Sequence, residues 1–478
     1  MRYKKQINPI ICFLAATCLF WLPSISQAQI KNPSWEVSFS GLISDGEQAP
    51  FWLISNRQGK YLPENNAGSI EMGFFAEADT GKVFDYHFGM EAYGRQDKSG
   101  DLWIHQLYGG ITLYDLLQLR AGMWEEIVGS REPKLSSGSI IWSGNARPIP
   151  KIEISTPGYM DVPYTRGYAE IKGMLSHGWF EEGRFASDVY MHHKNAYIRL
   201  GGDLPVNISY GFNHYAQWGG STELHDKPYP SDLEAYYWIF FNRSADPDDP
   251  AAPDTWARHK YGNTLGSRNY GIDLDLESVS AGIYFQDVFE DGSGLRRRNF
   301  PDGLWGAYVR FPEKDRLVQG VVYEFLHTKD QSGPRHSDDE GNIIGGNDNY
   351  FNHAIYRSGW SYHDYTIGSP LISSPLLTEE TEHYNNMKNN RVSAHHIGLE
   401  GFIAPELNYR GLFTYSRNYG TFNEPFDEPI DQLSLMVELT RPLPWYELEA
   451  GITLAGDIGR MYGDNYGVML NLRKRGVW

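Results

Sequence analysis

Past residue 28 the chain alternates apolar and polar side chains over runs longer than an ordinary soluble strand, and it nowhere holds the eighteen or so consecutive apolar residues of a membrane-spanning helix. Alternation with period two gives a strand one greasy and one wet face. Trp35, Val37, Phe39, Gly41 and Ile43 share one face, while Glu36, Ser38 and Ser40 share the other, with Leu42 its apolar exception. The pattern returns in Ile70, Met72, Phe74, Ala76 and Ala78, then in Phe84, Tyr86, Phe88, Met90 and Ala92. A turn at Thr80-Gly81-Lys82 joins the two as a hairpin. Ile208 to Trp218, Val279 to Phe285, Leu407 to Tyr415, Leu433 to Leu439, Tyr446 to Leu454 and Tyr466 to Leu472 repeat it. With weaker runs, the count reaches about 16 to 19 segments.

A soluble β-sandwich alternates too, and length separates the two. Soluble strands centre on about 5 to 6 residues, whereas about 9 to 11 are needed to cross a bilayer at a tilt. Many of these segments support the longer figure. Rings near strand ends, at Trp35, Phe84, Trp124, Trp218, Trp305 and Trp445, suit interfacial girdles. The chain closes with a period-two strand and a terminal aromatic, Trp478, a pattern resembling the signal by which barrel insertion machinery recognises outer-membrane substrates. These features predict an all-β fold: a transmembrane antiparallel β-barrel set in outer-membrane lipid.

The first residues direct export. Arg2, Lys4 and Lys5 precede an apolar stretch from Ile10 to Leu22, then Pro23 and the small-x-small triplet Ser26-Gln27-Ala28. This is the pattern of a secretory signal peptide over residues 1–28, leaving 29–478 as one barrel with inserted loops. Both cysteines, Cys12 and Cys18, depart with the signal, so the mature chain is expected to have no disulfide and no thiolate chemistry. The net charge of −18 becomes −21, with 39 basic against 60 acidic residues. Such an acidic balance argues against nucleic acid as a partner. Gly 50, Tyr 32, Phe 23 and Trp 14 fit many turns between ring-rich strands.

Three stretches break the strand pattern and are too long and too rich in Gly or Pro for hairpin turns. Lys134 to Lys151 includes Trp142, Asn145 and Arg147 and contains no acid. Its rings, amides and guanidinium suit a saccharide, which is held by stacking faces and directional polar groups; equally, it could be a loop folded into the lumen on its own hydrogen bonds. Gly219 to Ser267 contains Ser231-Asp232-Leu233-Glu234, with capping-box spacing before Tyr236, Tyr237, Phe240 and Phe241. We expect a short helix over Asp232 to Asn242, acting as a plug or periplasmic cap, and an acidic linker over Asp246 to Asp254. Gly345 to Leu371 carries Asn349, Tyr350, Asn352, His353, Tyr356, Arg357 and Trp360 and is the richest saccharide candidate. Its alternative is interfacial girdle and loop packing.

The first and third stretches resemble the Wzi-type capsule assembly family of Gram-negative outer-membrane proteins. So do Phe289-Glu290-Asp291-Gly292-Ser293-Gly294, Pro301-Asp302-Gly303-Leu304-Trp305-Gly306, Ala49-Pro50-Phe51-Trp52-Leu53 and Asn56-Arg57. The run from Ser143 to Pro150 is the most specific part. The resemblance implies an 18-stranded barrel, occluded by loops and a short helix, acting as a lectin that holds capsular or other surface polysaccharide at the cell outer membrane. An acidic polymer would have to be met by local cations, for which Arg296 and Arg297 in the run Arg296-Arg297-Arg298, with Arg147 and Arg357, are available. A solvated loop or a lipid-headgroup contact is the other reading of that run.

No spacing of acids, bases or nucleophiles marks an enzyme, and no cofactor or metal is expected. His395-His396 and His192-His193 are adjacent in strands, so each pair faces opposite sides. His336 beside Asp338, Asp339 and Glu340 reads as an acidic solvated loop. A passive porin for small solutes or oligosaccharides is the rival function, because Glu71, Glu77, Asp85 and Glu91 would line a wet channel as well as a plugged one.

Overall fold

The computed structural model describes residues 30–477, apart from 79–82, 224–226, 244–261, 291, 314, 335, 338–342, 347 and 379–385. The signal segment, the hairpin turn at Thr80, the acidic linker, the acids after His336 and Trp478 lie outside the described residues.

Eighteen antiparallel strands form one closed barrel. The first nine are β1 (Ile30–Asp45), β2 (Asn66–Ala78), β3 (Phe84–Gln96), β4 (Asp101–Leu113), β5 (Leu117–Met123), β6 (Lys151–Ser155), β7 (Ala169–Trp179), β8 (Tyr190–Leu200) and β9 (Val206–Trp218). Then follow β10 (Gly262–Leu276), β11 (Val279–Phe289), β12 (Gly303–Arg310), β13 (Gly320–His327), β14 (Val392–Ala404), β15 (Leu407–Gly420), β16 (Pro425–Leu443), β17 (Leu448–Gly459) and β18 (Asn465–Val477). A two-residue piece, Met160–Asp161, continues β6 along the same neighbour, β7. The last strand closes on the first, with Ser34 opposite Val477 and Asp45 opposite Tyr466. Closure leaves no sheet edge with unpaired backbone groups, which hydrocarbon would not tolerate.

The alternation sorts the two faces. Ile43, Leu470 and Ile208 are 69%, 58% and 53% exposed on the outside, where an apolar belt suits lipid. Ser38, Glu91, Asn213, Gln217, Glu324 and Thr414 are buried on the inside. Connections are equally sorted. Leu113 to Leu117, Leu276 to Val279 and Ala404 to Leu407 are tight turns at the end that also holds both strand termini, Ile30 and Val477. The four longest inserts, 46–65, 124–150, 219–261 and 328–391, leave from the opposite end. In bacterial barrels short turns face the periplasm and long loops face outward.

The helix predicted from the capping-box spacing forms, but not where expected. It spans Leu233–Phe240, and Asp232 caps it by accepting a hydrogen bond from the Ala235 N–H at 2.9 Å. Instead of entering the lumen, it lies against the outer wall. Ala235 and Ile239 pack on Ala216 and Trp218, which share the outward face of β9 with Ile208 and Tyr210. The cause is local: the outer face of β8 and β9 near the long-loop end carries Tyr190, His192 and Trp218, a ring surface matching the rings of Tyr236 and Phe240. The helix inside the barrel is a different one, the single turn Phe51–Ile54, all four of whose residues are buried.

Two of the expected girdle rings are also used elsewhere. Trp124 is buried in the lumen, and Trp218 lies under the outer helix, whereas Phe84 and Trp305 are exposed on the outer wall.

Candidate functional site

Three segments leave the long-loop end, fold back into the lumen and bond to one another. The first, Ala49 to Tyr61, begins with the turn Phe51–Ile54, fixed to the wall where the Phe51 N–H donates to the Asp457 carboxylate at 2.8 Å. The chain then reverses through Asn56 and Gln58, both in the left-handed region that amides tolerate. The reversal presents Asn56 to the second segment. Its N–H donates to the side-chain oxygen of Asn145 at 3.1 Å, its amide to the carbonyl of Ser137 at 3.0 Å, and the Gln58 N–H to the carbonyl of Gly144 at 2.6 Å.

The second segment, 124–150, meets the third, which lies in the connection 328–391 between β13 and β14. The Trp360 indole N–H donates to the Ile141 carbonyl at 2.8 Å, the Asn145 amide to the Thr366 carbonyl at 2.9 Å, and the Ser143 hydroxyl to the Gly368 carbonyl at 2.7 Å. Walls hold both. Trp142 stacks on His193 and Tyr215 of β8 and β9, at centroid distances of 5.8 and 5.7 Å, with Trp360 edge-on at 6.3 Å. The Glu324 carboxylate on β13 accepts from the Ser136 hydroxyl at 2.7 Å, the Ser137 N–H and hydroxyl at 2.6 Å each, and the Tyr284 hydroxyl. Gly398 of β14 lets the backbone lie flat on the wall, since a Cβ there would stand 2.2 Å from the Leu135 carbonyl oxygen.

The residues singled out from sequence therefore divide. Trp142, Asn145, Tyr350, Asn352, Tyr356 and Trp360 are buried within the plug. Their polar atoms bond internally: Tyr350 donates to Asp302 at 2.9 Å, Tyr356 to the Gly219 carbonyl at 3.0 Å, and Asn352 exchanges bonds with the Met387 backbone at 2.9 and 3.0 Å. Asn349, His353, Arg147 and Arg357 are half-buried. Arg147 stacks on Trp103 at 3.9 Å, and Arg357 lies over Phe185 at 4.6 Å. Arg296 and Arg297 are exposed; Arg297 reaches the Tyr270 hydroxyl and stands 3.6 Å from Asp287 on the outer wall, in a segment whose Asn299 donates to the Tyr350 hydroxyl of the plug at 2.8 Å. The histidine pairs split across the wall, with His396 inside against Thr414 and the Leu135 carbonyl, and His395 outside against Tyr323.

Beneath the plug, toward the short-turn end, lies a polar cavity of about 420 Å³ that no single stretch of sequence announces. Its basic lining residues are Arg57, Lys60, Lys134, Arg410 and Arg473, and its acids are Glu36, Glu71, Glu91 and Glu125. The Lys60 ammonium stands 3.0 Å from Glu71 and 2.9 Å from both Glu91 and Glu125. Burial works against its charge, but these three carboxylates raise its pKa well above the ordinary lysine range. Burial likewise opposes ionisation of Glu125, yet the His105 hydrogen bond and Lys60 bring it down to about 2. Glu91, His105 and Glu125 could share a metal by distance alone; the protein's own lysine supplies the cation there. Arg57 donates to the Trp52 carbonyl at 3.2 Å, and burial lowers its pKa against the opposing pull of Glu438. Of these residues the sequence pointed to Arg57 in the Asn56-Arg57 pair, to Lys134 at the head of its stretch, and to Glu36, Glu71 and Glu91 as wet-face acids, but not to their meeting with Lys60, Glu125, Arg410 and Arg473. The rest converge from strands hundreds of residues apart.

Comparison with known proteins follows the same lines. The family model for capsule assembly protein Wzi matches residues 53–373. Among solved structures, Wzi of Escherichia coli, described as a carbohydrate-binding β-barrel of the outer membrane involved in group 1 capsule assembly, superposes with a TM-score of 0.58. The alignment covers 98% of this chain and 89% of that one at 13% identity. OpdL and OpdH of Pseudomonas aeruginosa each align over 94% of this chain and over 99% and 98% of their own, at 10% and 8% identity and a TM-score of 0.46. No curated protein matches by sequence.

Proposed function

The chain belongs to the Wzi capsule assembly family, and from that membership we propose that it is a lectin of the outer membrane that holds capsular or other surface polysaccharide on the cell without polymerising, cutting or exporting it. The observation that carries this reading over a passive porin is the plug. Three segments bonded to one another and to the wall fill the lumen with close-packed rings, where a porin keeps an aqueous channel. Arg147, Asn349, His353 and Arg357, half-buried at the upper surface of the loops, are the residues we assign to polymer contact there, with the exposed Arg296 and Arg297 meeting acidic groups at the rim. The buried rings Trp142, Tyr350, Tyr356 and Trp360, with Asn145 and Asn352, hold the loops that carry that surface. The outward belt is matched to outer-membrane lipid, and the last strand to the insertion machinery.

Deletion should leave polymer synthesis intact and shed polymer into the medium, measured as cell-bound against released polysaccharide. Loss of polymer altogether would count against the reading. Binding of the purified protein to a glycan array identifies the sugar.

A further inference from the structure

We propose that the cavity beneath the plug binds a carboxylate-bearing sugar residue, entering from the short-turn, periplasmic side. The pocket and its preference for an anion stand on geometry alone; that the anion is a saccharide rests on the polysaccharide-binding function proposed above.

The charges around the cavity do not balance locally. Lys60 faces three carboxylates, two more than it balances, Arg410 is paired with Glu438 at 2.6 Å, and Arg473 is paired with Glu36 at 2.9 Å, so the acids in excess gather on the Lys60 side. Arg57 and Lys134 have no carboxylate at ion-pairing distance among the described residues. The nearest acid acting on Arg57 is Glu438, already held by Arg410. Two cations on one side of the cavity with no carboxylate of their own define a site for a negatively charged group. A guanidinium fork matches the two oxygens of a carboxylate in plane.

The opposite wall argues for a sugar over a bare anion. Glu36, Glu71, Ser38 and Asn471 offer acceptors there, so a ligand must bring hydroxyl donors as well as a charge. The volume lies within the range of small-ligand pockets, about 300–1,000 Å³. Access follows from the fold. The plug seals the upper side, whereas Lys134 is exposed and its carbonyl accepts from Arg410 close to the short-turn start of β15. A mature chain at −21 repels polyanions at long range, so unpaired cations inside a low-dielectric wall are where an acidic sugar can be held.

The test is calorimetric titration of the full mature protein in detergent with an oligogalacturonate and with its methyl ester, which keeps the rings and removes the charge. The oligogalacturonate should bind, weakening with added salt, and the ester should bind at least tenfold more weakly. Arg57→Gln and Lys134→Gln should each lower affinity for the acid about tenfold. Lys134 is exposed, so its variant cannot fail merely by misfolding, and heat-modifiable gel mobility checks both. Equal affinity for acid and ester, unchanged affinity in both folded variants, or no binding of either probe overturns the proposal. If wild-type cells still retain polymer in that event, the pocket falls and the family function stands.

Discussion

Asp302 and Glu324 carry much of the plug between them, in different ways. Asp302 is buried at the foot of the third segment, accepting from the N–H groups of Asp330 at 2.9 Å and Gln331 at 2.7 Å and from the Tyr350 hydroxyl at 2.9 Å. Burial outweighs those bonds and pushes its pKa up to about 7. Against an unfolded value of about 3.9, the folded protein therefore binds more protons between about pH 4 and 7, so this group's contribution is fully present below about 4 and is lost as pH rises through about 7. His327, Asp330 and Arg391 are the other titrating groups near it. Hydrogen-exchange protection in residues 328–334 and 348–352, corrected for the intrinsic pH dependence of amide exchange, should be higher at pH 5 than at pH 8, and Asp302→Asn should flatten that difference. Glu324 instead accepts four hydrogen bonds. Glu324→Ala strands buried Ser136, Ser137 and Tyr284 donors and should cost about 3 kcal/mol or more in denaturant unfolding, with Glu324→Gln milder, because each unmade buried bond costs about 1–3 kcal/mol. The sequence marked Asp302 only as part of a family-like segment, and nothing in the alternation distinguished Glu324 from the other wet-face acids.

Among elements, the outer helix Leu233–Phe240 is the one whose existence was legible and whose place was not. Its cap and ring spacing are local and readable; which of two ring-rich surfaces receives those rings depends on which side of β8 and β9 they face. Its own outer side exposes Leu233, Tyr237 and Phe241, an apolar face that suits the plane of the outer leaflet. Residues 29–478 contain no cysteine, so Tyr237→Cys in a chain expressed over those residues gives a single labelling site. A nitroxide there should report lipid contact in proteoliposomes, and free access by a water-soluble relaxant would show that the helix stands clear of the bilayer. The plug obeys the same limit. Gly398 reads in sequence as a gap in a strand, whereas in the structure it admits the Leu135 carbonyl. Gly398→Val should dislodge residues 132–137 without opening the barrel wall, seen as faster proteolysis there with unchanged heat-modifiable mobility.

At the scale of the whole molecule, a filled lumen predicts no large steady conductance in planar bilayers, and excision of residues 351–372 should open one. A large conductance from the intact protein would favour the porin. The closed membrane barrel was within reach of the sequence. Period-two alternation is a property of neighbouring residues, it is long enough to cross a bilayer, and the strand count of about 16 to 19 brackets the eighteen found. The family-like stretches were legible as the parts that are not wall. What only the tertiary structure decided is which of those residues remain available. Trp142 and Trp360 have the composition of a sugar site, yet they spend their faces on each other, on His193 and on Tyr215, while Arg57 is left facing a cavity built from strands near both ends of the chain. Alternation is local and survives in the sequence; partnership is set by closure of the barrel, which brings residues 36, 57, 134, 410 and 473 around one space.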